Sequence, residues 1–320
     1  MSGRAPGQRS AAVTAWVEGV LGAAVVYPVE TVATLWAGYG RIVRLRLRDE
    51  QRSVILKEIR FPHGSVADRS HTRKVRSYEI ERAFYERFAS YSAERARSPR
   101  LLGAQSAAGE HWLLLEDLDA AGYDARPRSG SDAVVRAGID WLAAFHAAHL
   151  GRVPVGLWSE GCYWHLETRP DELRAIEGHK LYALASELDE RLRGARHRTL
   201  VHGDPKLENF CATRAQNVQF AAVDFQYVGG GVGVRDLVYF IGSAVPPKRV
   251  ERELPAFLDY YFEALRREVA ACESTPSSFE ALEAEWRELV PVAWLDFYRF
   301  TLGWSPRWAE SDLYAERLLR

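Results

Sequence analysis

The sequence has few cysteines, and none of them forms a recognisable motif. Cys162, Cys211 and Cys272 are odd in number, widely spaced and without a CxxC pair. Neither a disulfide framework nor a structural zinc site is therefore expected. A reducing location fits this cysteine usage best, so we expect the protein in the cytoplasm.

The sequence also lacks a charge excess and a long apolar run. Its 320 residues carry a formal net charge of −1, which gives no global field favouring nucleic acid or an anionic membrane surface. The apolar stretch after Arg4 and Arg9 is interrupted by Glu18, and no uncharged run reaches the roughly 18 residues of a membrane span. We therefore expect no nucleic-acid partner, no membrane partner and no signal peptide.

Hydrophobic patterning divides the chain into a β-rich first part and a mainly helical remainder. Helical periodicity predicts helices over 11–22, 73–90 and 133–150. Runs of β-branched and apolar residues predict strands over 29–36, 41–49, 53–59 and 111–118. The sequence thus predicts an α+β fold with a small β-rich lobe, residues 1–118, and a larger mainly helical lobe, residues 119–320.

The segment HGDPKLEN (202–209) concentrates an acid, a lysine and an amide on a predicted loop after a short strand. Asp204 and Asn209 can then point at one space, and the segment VDFQ brings in Asp224 on a neighbouring strand. Carboxylate and amide oxygens suit Mg²⁺, which keeps several waters and binds substrate phosphates. Phosphoryl transfer needs such ligands, a cation on the phosphates and a carboxylate that deprotonates the attacking hydroxyl, a role that Asp204 fits.

HGDPKLEN followed by DFQ resembles the catalytic and metal-binding loops of the aminoglycoside phosphotransferase and choline kinase branch of the kinase-like fold. The resemblance implies two lobes with ATP between them, bound Mg²⁺, and transfer of the γ-phosphoryl group to a small-molecule hydroxyl. It further implies that Asp204 is the catalytic base and that Asn209 and Asp224 bind Mg²⁺. Lys206 would be a partner of the transferring phosphoryl group.

The same resemblance implies a set of nucleotide-binding residues. Lys57 in SVILKEI matches the strand lysine that pairs the α- and β-phosphates of ATP, and Glu81 in SYEIERAFY matches the helix glutamate that holds it. The remaining positions are the glycines of the LWAGYG turn, Gly38 and Gly40, and the hinge main chain of LLLEDL from Glu116 to Leu118. These hinge groups would bond the adenine edge.

Further segments point to one subgroup of this family, and other residues are expected to hold the catalytic loop in place. LWAGYGRIVR, RKVRSYEIE, LLLEDLDAAGY and YWHLETRPDEL are similar to the ecdysteroid kinase-like subgroup. Asp236 resembles the residue that holds the catalytic loop through backbone hydrogen bonds. We expect His202 to brace that loop rather than act as a base, His146 to be a core histidine, and GGGVG (229–233) to form a flexible bend.

The chemistry of the acceptor follows from two further features. Only twelve positions separate Asp224 from Asp236, too few for the activation segment with which a protein kinase holds a peptide. The segment 292–308 places several aromatic residues near Asp296, which could hold a cationic amine or simply pack as core: Trp294, Tyr298, Trp304 and Trp308.

The sequence leaves the acceptor open among amine-bearing alcohols, sugars, steroids and antibiotics. A monomer or a homodimer is expected. The competing hypotheses are a non-catalytic nucleotide-binding pseudokinase and, after it, a protein kinase.

Overall fold

In the computed structural model the chain forms two compact units, Met1–Tyr78 with Pro99–Asp124, and Glu79–Ser98 with Ala125–Arg320. The structure describes residues 6–35, 38–48, 52–61, 69–92, 94–107, 109–128, 130–272 and 278–320. The chain passes from the first unit to the second within helix α2 (Arg69–Arg87). Within the described residues, no helix is both long enough and apolar enough to cross a membrane.

The first unit is built on a five-stranded antiparallel sheet with the strand order β1-β2-β3-β5-β4. Its strands are β1 (Val25–Thr34), β2 (Gly40–Leu47), β3 (Ser53–Arg60), β4 (Leu101–Ala107) and β5 (Glu110–Glu116). Helix α1 (Pro6–Leu21) packs Val13 and Val17 against one face of the sheet. Because side chains alternate along a strand, Val54 and Leu56 of β3 join this core while Lys57 projects from the opposite face.

The second unit is mainly helical. Its helices after α2 are α3 (Asp132–Ala148), α4 (Pro170–Arg174), α5 (Lys180–Arg193), α6 (Gly233–Ala244), α7 (Pro247–Ala270), α8 (Phe279–Trp304), α9 (Pro306–Ala309) and α10 (Leu313–Leu318). Two short antiparallel pairs lie among them: β6 (Thr199–Val201) with β9 (Gly229–Gly231), and β7 (Phe210–Ala212) with β8 (Phe220–Ala222). These two strand pairs carry the candidate catalytic segments.

The predicted α+β fold class is confirmed, with a small antiparallel sheet in one unit and a mainly helical second unit. Most predicted elements are present with shifted ends. The helix predicted over 73–90 begins earlier, at Arg69, and the helix predicted over 133–150 spans Asp132–Ala148 with Ser131 as its N-cap.

Two local predictions were wrong. The glycines of GGGVG are not a flexible bend, because Gly229–Gly231 form the buried strand β9, paired with β6 in the register Val201↔Gly229. Asp224 is not on a strand, since β8 ends at Ala222. Glycine suits β9 because neighbouring backbone lies so close that a Cβ at Gly229 would sit 2.2 Å from the Trp158 carbonyl oxygen.

Candidate active site

The loop between β6 and β7 is anchored through its backbone to α6. The N–H groups of His202 and Gly203 donate to the two carboxylate oxygens of Asp236, at 2.6 and 2.9 Å. Gly203 has φ +82°, and a Cβ there would lie 2.2 Å from the Tyr227 carbonyl oxygen. The predicted role of Asp236 in holding this loop is therefore confirmed.

The two histidines near the loop are structural, as predicted. His202 is fully buried; its Nε2 lies 3.0 Å from the Val223 carbonyl oxygen, and its Nδ1 accepts from the Asp204 N–H. Burial lowers the pKa of His202, which keeps the ring neutral in this bracing role. His146 is also buried and lies within hydrogen-bond distance of the Tyr261 hydroxyl and Asp236.

Asp204 is a buried carboxylate with a donor on each oxygen. Its Oδ2 accepts from the Asn209 side-chain amide at 3.1 Å and lies 3.2 Å from the Lys206 ammonium. Its Oδ1 accepts from the Tyr239 hydroxyl at 3.0 Å. Burial raises the pKa of Asp204 to about 6, against the opposing charge of Lys206. Such a carboxylate is ionised at neutral pH and more basic than an exposed one, as a general base requires.

Asn209 and Asp224 are brought together by the β7–β8 hairpin. The Val223 N–H donates to the Asn209 carbonyl oxygen at 2.9 Å, which places the residue before Asp224 beside Asn209. Asp224 has φ +67°, a left-handed conformation that is uncommon for residues other than glycine. Phe225 stacks on Phe84 of α2 at a ring distance of 3.9 Å and so fixes the segment that carries Asp224.

The donors of this hairpin fit magnesium. The Asn209 side-chain NH₂ donates to Asp204, so its amide oxygen is directed away from that carboxylate. The described residues contain no cluster of three or more His, Cys, Asp or Glu residues suited to a metal. The donors that this hairpin offers are one amide oxygen and the Asp224 carboxylate, and two hard oxygens would suit an ion that completes its shell with water and phosphate oxygens.

Lys57 lies on β3 in the first unit and is 4% exposed. In the sheet register it stands between Ile42 of β2 and Leu113 of β5. Its ammonium group lies 5.5 Å from the centre of the Tyr78 ring. A lysine in the middle of a sheet and this little exposed is not a solvated edge residue.

The turn between β1 and β2 contains Gly38 and Gly40, with φ of +77° and +133°. Trp36 and Ala37 of the LWAGYG segment lie outside the described residues. A Cβ on Gly40 would lie 1.9 Å from the carbonyl oxygen of Glu58 in β3, so the sheet itself requires glycine at this position. At Gly38 it is the positive φ, and not a close neighbour, that favours glycine.

The hinge segment after β5 is held by its own hydrogen bonds. The Glu116 N–H donates to the Arg100 carbonyl oxygen at 2.9 Å, and the Leu118 carbonyl accepts from the N–H groups of Ala121 and Tyr123. Between them, the buried Asp117 accepts from Arg44 at 2.7 Å and Ser53 at 2.6 Å. This anchor was missed in the sequence because its partners are distant along the chain.

The predicted site residues divide between the two units. The first unit contains Lys57, Gly38, Gly40, Glu116 and Leu118, whereas the second contains Glu81, Asp204, Lys206, Asn209 and Asp224. Glu81 is buried at 1% exposure on α2. Within the second unit, the structure brings Asp204, Lys206 and Asn209 into direct contact.

The idea that Asp296 holds a cationic amine is wrong. Asp296 is fully buried and pairs with Arg299 at 2.7 Å and Arg235 at 3.2 Å. Burial alone would raise the pKa of Asp296, but the two guanidinium groups outweigh it and the net pKa is lowered. Because this carboxylate is buried and already neutralised by arginine, it is not placed to bind a cationic acceptor.

Sequence reasoning also missed Tyr163 and Tyr239, which lie against the loop between β6 and β7. The Tyr163 N–H donates to the Gly203 carbonyl oxygen at 2.7 Å, and its ring contacts Phe300 and the half-exposed Trp304. Tyr163 opens the segment YWHLETRPDEL, but the resemblance of that segment assigned it no role. Tyr239 had a sequence signal, because it follows Asp236 by three residues and thus shares its helix face.

Comparison with known proteins gave one family. A sequence profile of the phosphotransferase enzyme family matches residues 34–272, which is more than half of the chain. A search of curated proteins gave no match.

Several solved structures are similar to the chain at low identity. A microcompartment-associated aminopropanol kinase is 14% identical, with 95% of this chain and 97% of that chain covered and a TM-score of 0.49. An aminoglycoside-3'-phosphotransferase of type VIII is 18% identical, with coverage of 85% and 94% and a TM-score of 0.45. An aminoglycoside phosphotransferase from Streptomyces rimosus, in complex with ADP and streptomycin, is 16% identical, with coverage of 82% and 92% and a TM-score of 0.46.

Proposed function

Because the chain belongs to the phosphotransferase enzyme family, we propose that it transfers the γ-phosphoryl group of ATP to a hydroxyl group of a small molecule. The observation that carries this proposal is the buried Asp204 carboxylate, with its raised pKa, in contact with Lys206 and Asn209. Phosphoryl transfer depends mostly on positioning and charge neutralisation, and this loop supplies groups for both.

In the proposed reaction Asp204 is the catalytic base. The acceptor oxygen forms a bond to the γ-phosphorus as the bond from that phosphorus to the β–γ bridging oxygen breaks. The hydroxyl proton passes to the Asp204 carboxylate, and ADP leaves with the electron pair of the broken bond. Lys206, 3.2 Å from Asp204, would meet the transferring phosphoryl group with its positive charge.

We propose that Asn209 and Asp224 hold Mg²⁺. A bound magnesium ion would neutralise charge on the phosphate oxygens. In the first lobe, residues 1–118, we propose that Lys57 meets the α- and β-phosphates and that the Gly38–Gly40 turn approaches them. Glu81 would hold Lys57, and the main chain from Glu116 to Leu118 would bond the adenine edge, with Leu118 using its N–H because its carbonyl accepts two other bonds.

We propose that the acceptor binds on an aromatic face beside the catalytic loop. Tyr163 contacts Phe300 at 5.5 Å and Trp304 at 6.1 Å, and Trp304 is 50% exposed. The charged group stacked on Tyr163 is the Arg169 guanidinium, at 4.0 Å. Arg169 is paired with Glu172 at 3.2 Å, and its guanidinium already occupies a face of the Tyr163 ring. An aromatic face that already holds a cation favours an uncharged, ring-bearing alcohol over a cationic amine.

A small acceptor also agrees with the segment that follows Asp224. Strand β9 and the start of α6 occupy the positions up to Asp236, so these residues form no extended peptide-holding segment. We further propose membership of the ecdysteroid kinase-like subgroup, a cytoplasmic location and a monomeric or homodimeric state. A pseudokinase is the competing hypothesis.

The proposal is tested by ADP release from ATP and Mg²⁺ with a panel of sugars, amino alcohols, steroids and hydroxylated antibiotics. We expect Asp204→Asn to lower kcat by about 100-fold or more, because it removes the general base. Asp140→Asn is the matched control, since Asp140 also accepts from a tyrosine hydroxyl, that of Tyr260, but lies on α3. Equal turnover in both variants would contradict the role of Asp204, and no turnover with any acceptor would favour the pseudokinase.

Binding of the acceptor on this aromatic face is tested separately. We expect Trp304→Ala to raise the acceptor KM on the order of ten-fold with little change in kcat, because it removes an aromatic contact of about 1 kcal/mol or more. Tyr182→Ala is the control, since it removes another exposed ring, on α5. An unchanged KM in Trp304→Ala would place the acceptor elsewhere.

A further inference from the structure

Tyr239 contacts Asp204 from a different structural element than the other contacting side chains do. Lys206 and Asn209 both act on Oδ2 and belong to the same short loop as Asp204. The Tyr239 hydroxyl donates to Oδ1 at 3.0 Å and comes from α6. The loop donors move with the loop, whereas Tyr239 ties the carboxylate to a helix.

Helix α6 therefore holds the catalytic loop at two points. Asp236 accepts from the backbone N–H groups of His202 and Gly203. One helical turn later, the Tyr239 hydroxyl donates to the side chain of Asp204. Residues three apart on a helix lie on the same face, so both side chains reach the loop from one side. The first contact sets the path of the backbone and the second sets the direction of the carboxylate.

The ring of Tyr239 is itself held in place. It is 6% exposed and lies 5.1 Å from the Trp164 ring and 4.7 Å from the Phe297 ring. Trp164 is in turn fixed by its indole N–H, which donates to Asp296 at 3.0 Å. A hydroxyl on a ring packed in this way has little freedom to leave Asp204.

We propose that Tyr239 is a positioning residue, which fixes the side-chain rotamer of Asp204 so that its carboxylate faces the acceptor hydroxyl. The proposal rests on the proposed function, in which Asp204 is the base. Oriented groups react faster because their alignment is already made when the substrate binds. Loss of the hydroxyl should therefore slow the chemical step and leave nucleotide binding unchanged.

Tyr239→Phe tests this role against a matched control, Tyr298→Phe. Tyr298 is also buried on α8, and its hydroxyl also donates to a carboxylate, Glu316 at 2.6 Å. With the acceptor that gives the fastest ADP release in the panel, or with water if none does, we expect kcat of Tyr239→Phe to fall on the order of ten-fold. The acceptor KM and the thermal shift with Mg²⁺ and ATP should not change, and Tyr298→Phe should retain the wild-type kcat.

A double-mutant cycle shows whether Tyr239 acts through Asp204. In an Asp204→Asn background, Tyr239→Phe should lower kcat no further, because the group that it positions is already gone. A further ten-fold loss in that background, or an unchanged kcat in the single variant, would overturn the proposal.

Crystal structures of the two phenylalanine variants give a readout that does not depend on turnover. We expect the Asp204 carboxylate to be rotated from its wild-type direction in Tyr239→Phe and unchanged in Tyr298→Phe. A carboxylate that overlays the wild type in both variants would overturn the positioning role. Wild-type protein without any turnover would contradict the proposed function instead, and the two structures would then decide the role of Tyr239 by themselves.

Discussion

At the scale of single residues, His149 is a buried imidazole at the end of α3. Within the described part of the chain, neither of its ring nitrogens has a hydrogen-bond partner. Its ring lies 4.6 Å from Phe145 and 6.4 Å from Phe84. Burial, with the charges of Arg152 and His146, lowers the pKa of His149 to about 3. The folded chain therefore holds this histidine neutral.

This histidine makes stability depend on pH. Between about pH 3 and its ordinary value of 6.5, the unfolded chain binds a proton at His149 that the folded chain does not. Stability therefore falls as pH drops below 6.5. Between pH 7.5 and pH 5.0, we expect the free energy of unfolding to fall by about 2 kcal/mol more in the wild type than in His149→Leu. Urea unfolding at both pH values measures this difference, and equal losses in the two proteins would contradict it.

Asp204 and Asp296 show how a neighbour decides the use of a buried carboxylate. Two guanidinium groups pair with Asp296, so the charge of this buried carboxylate is already matched by neighbouring side chains. Asp204 is paired with the partly exposed Lys206 and hydrogen-bonded by Tyr239, which leaves it basic. A buried charge is tolerated when it is paired, and incomplete pairing is typical of a reactive site.

At the scale of elements, β9 is a strand made of glycine. It pairs with β6, the strand that leads directly into the loop that carries Asp204. A Cβ on Gly229 would meet the Trp158 carbonyl oxygen at 2.2 Å, and one on Gly230 would meet the Ser159 carbonyl oxygen at 2.6 Å. The close approach of these backbones explains the glycines, and no flexible bend is needed.

Two alanine substitutions test this explanation. We expect Gly229→Ala to lower the free energy of unfolding on the order of 3 kcal/mol, because the backbones must move apart to admit a methyl group. Gly242→Ala is the control, since Gly242 lies in α6 and a Cβ there meets nothing within 4 Å. That variant should gain about 0.5–1 kcal/mol from reduced freedom of the unfolded chain. Thermal or urea unfolding of both variants gives the comparison, and a stable Gly229→Ala would show that β9 can shift freely.

At the scale of the whole molecule, nucleotide binding should appear as a gain in stability. A ligand that binds only the folded state at 100 times its Kd adds about 2.7 kcal/mol, so we expect Mg²⁺ with ATP to raise Tm by several degrees. Asp224→Gly should lose the Mg²⁺-dependent part of this shift, because glycine keeps the left-handed backbone while removing the carboxylate. Differential scanning fluorimetry with ATP or GTP, with and without Mg²⁺, provides the measurement.

The control for this experiment is Asp259→Ala, which removes an exposed carboxylate on α7. It should keep the full shift. A shift that survives in Asp224→Gly would remove this residue from the magnesium site. The absence of any shift in the wild type would favour a protein that binds nucleotide only after its acceptor, or not at all.

The sequence by itself determined the features that are encoded locally. Residue patterning marked α2, α3 and four of the five strands in the sheet of the first unit, but not β4. The spacing within 202–209 marked Asp204 and Asn209 as neighbours. These predictions succeed because side-chain direction within a helix, a strand or a short loop depends on a few adjacent residues. The role of Asp236 was implied by the family resemblance, and the structure bears it out.

Only the tertiary structure decided which distant groups meet. Tyr239 contacts Asp204 from 35 positions away, Asp296 is paired with arginines that leave it no ligand role, and β9 is a strand because β6 lies beside it. These contacts depend on how helices and strands pack, and packing is selected by the fit of the whole core rather than by any local pattern.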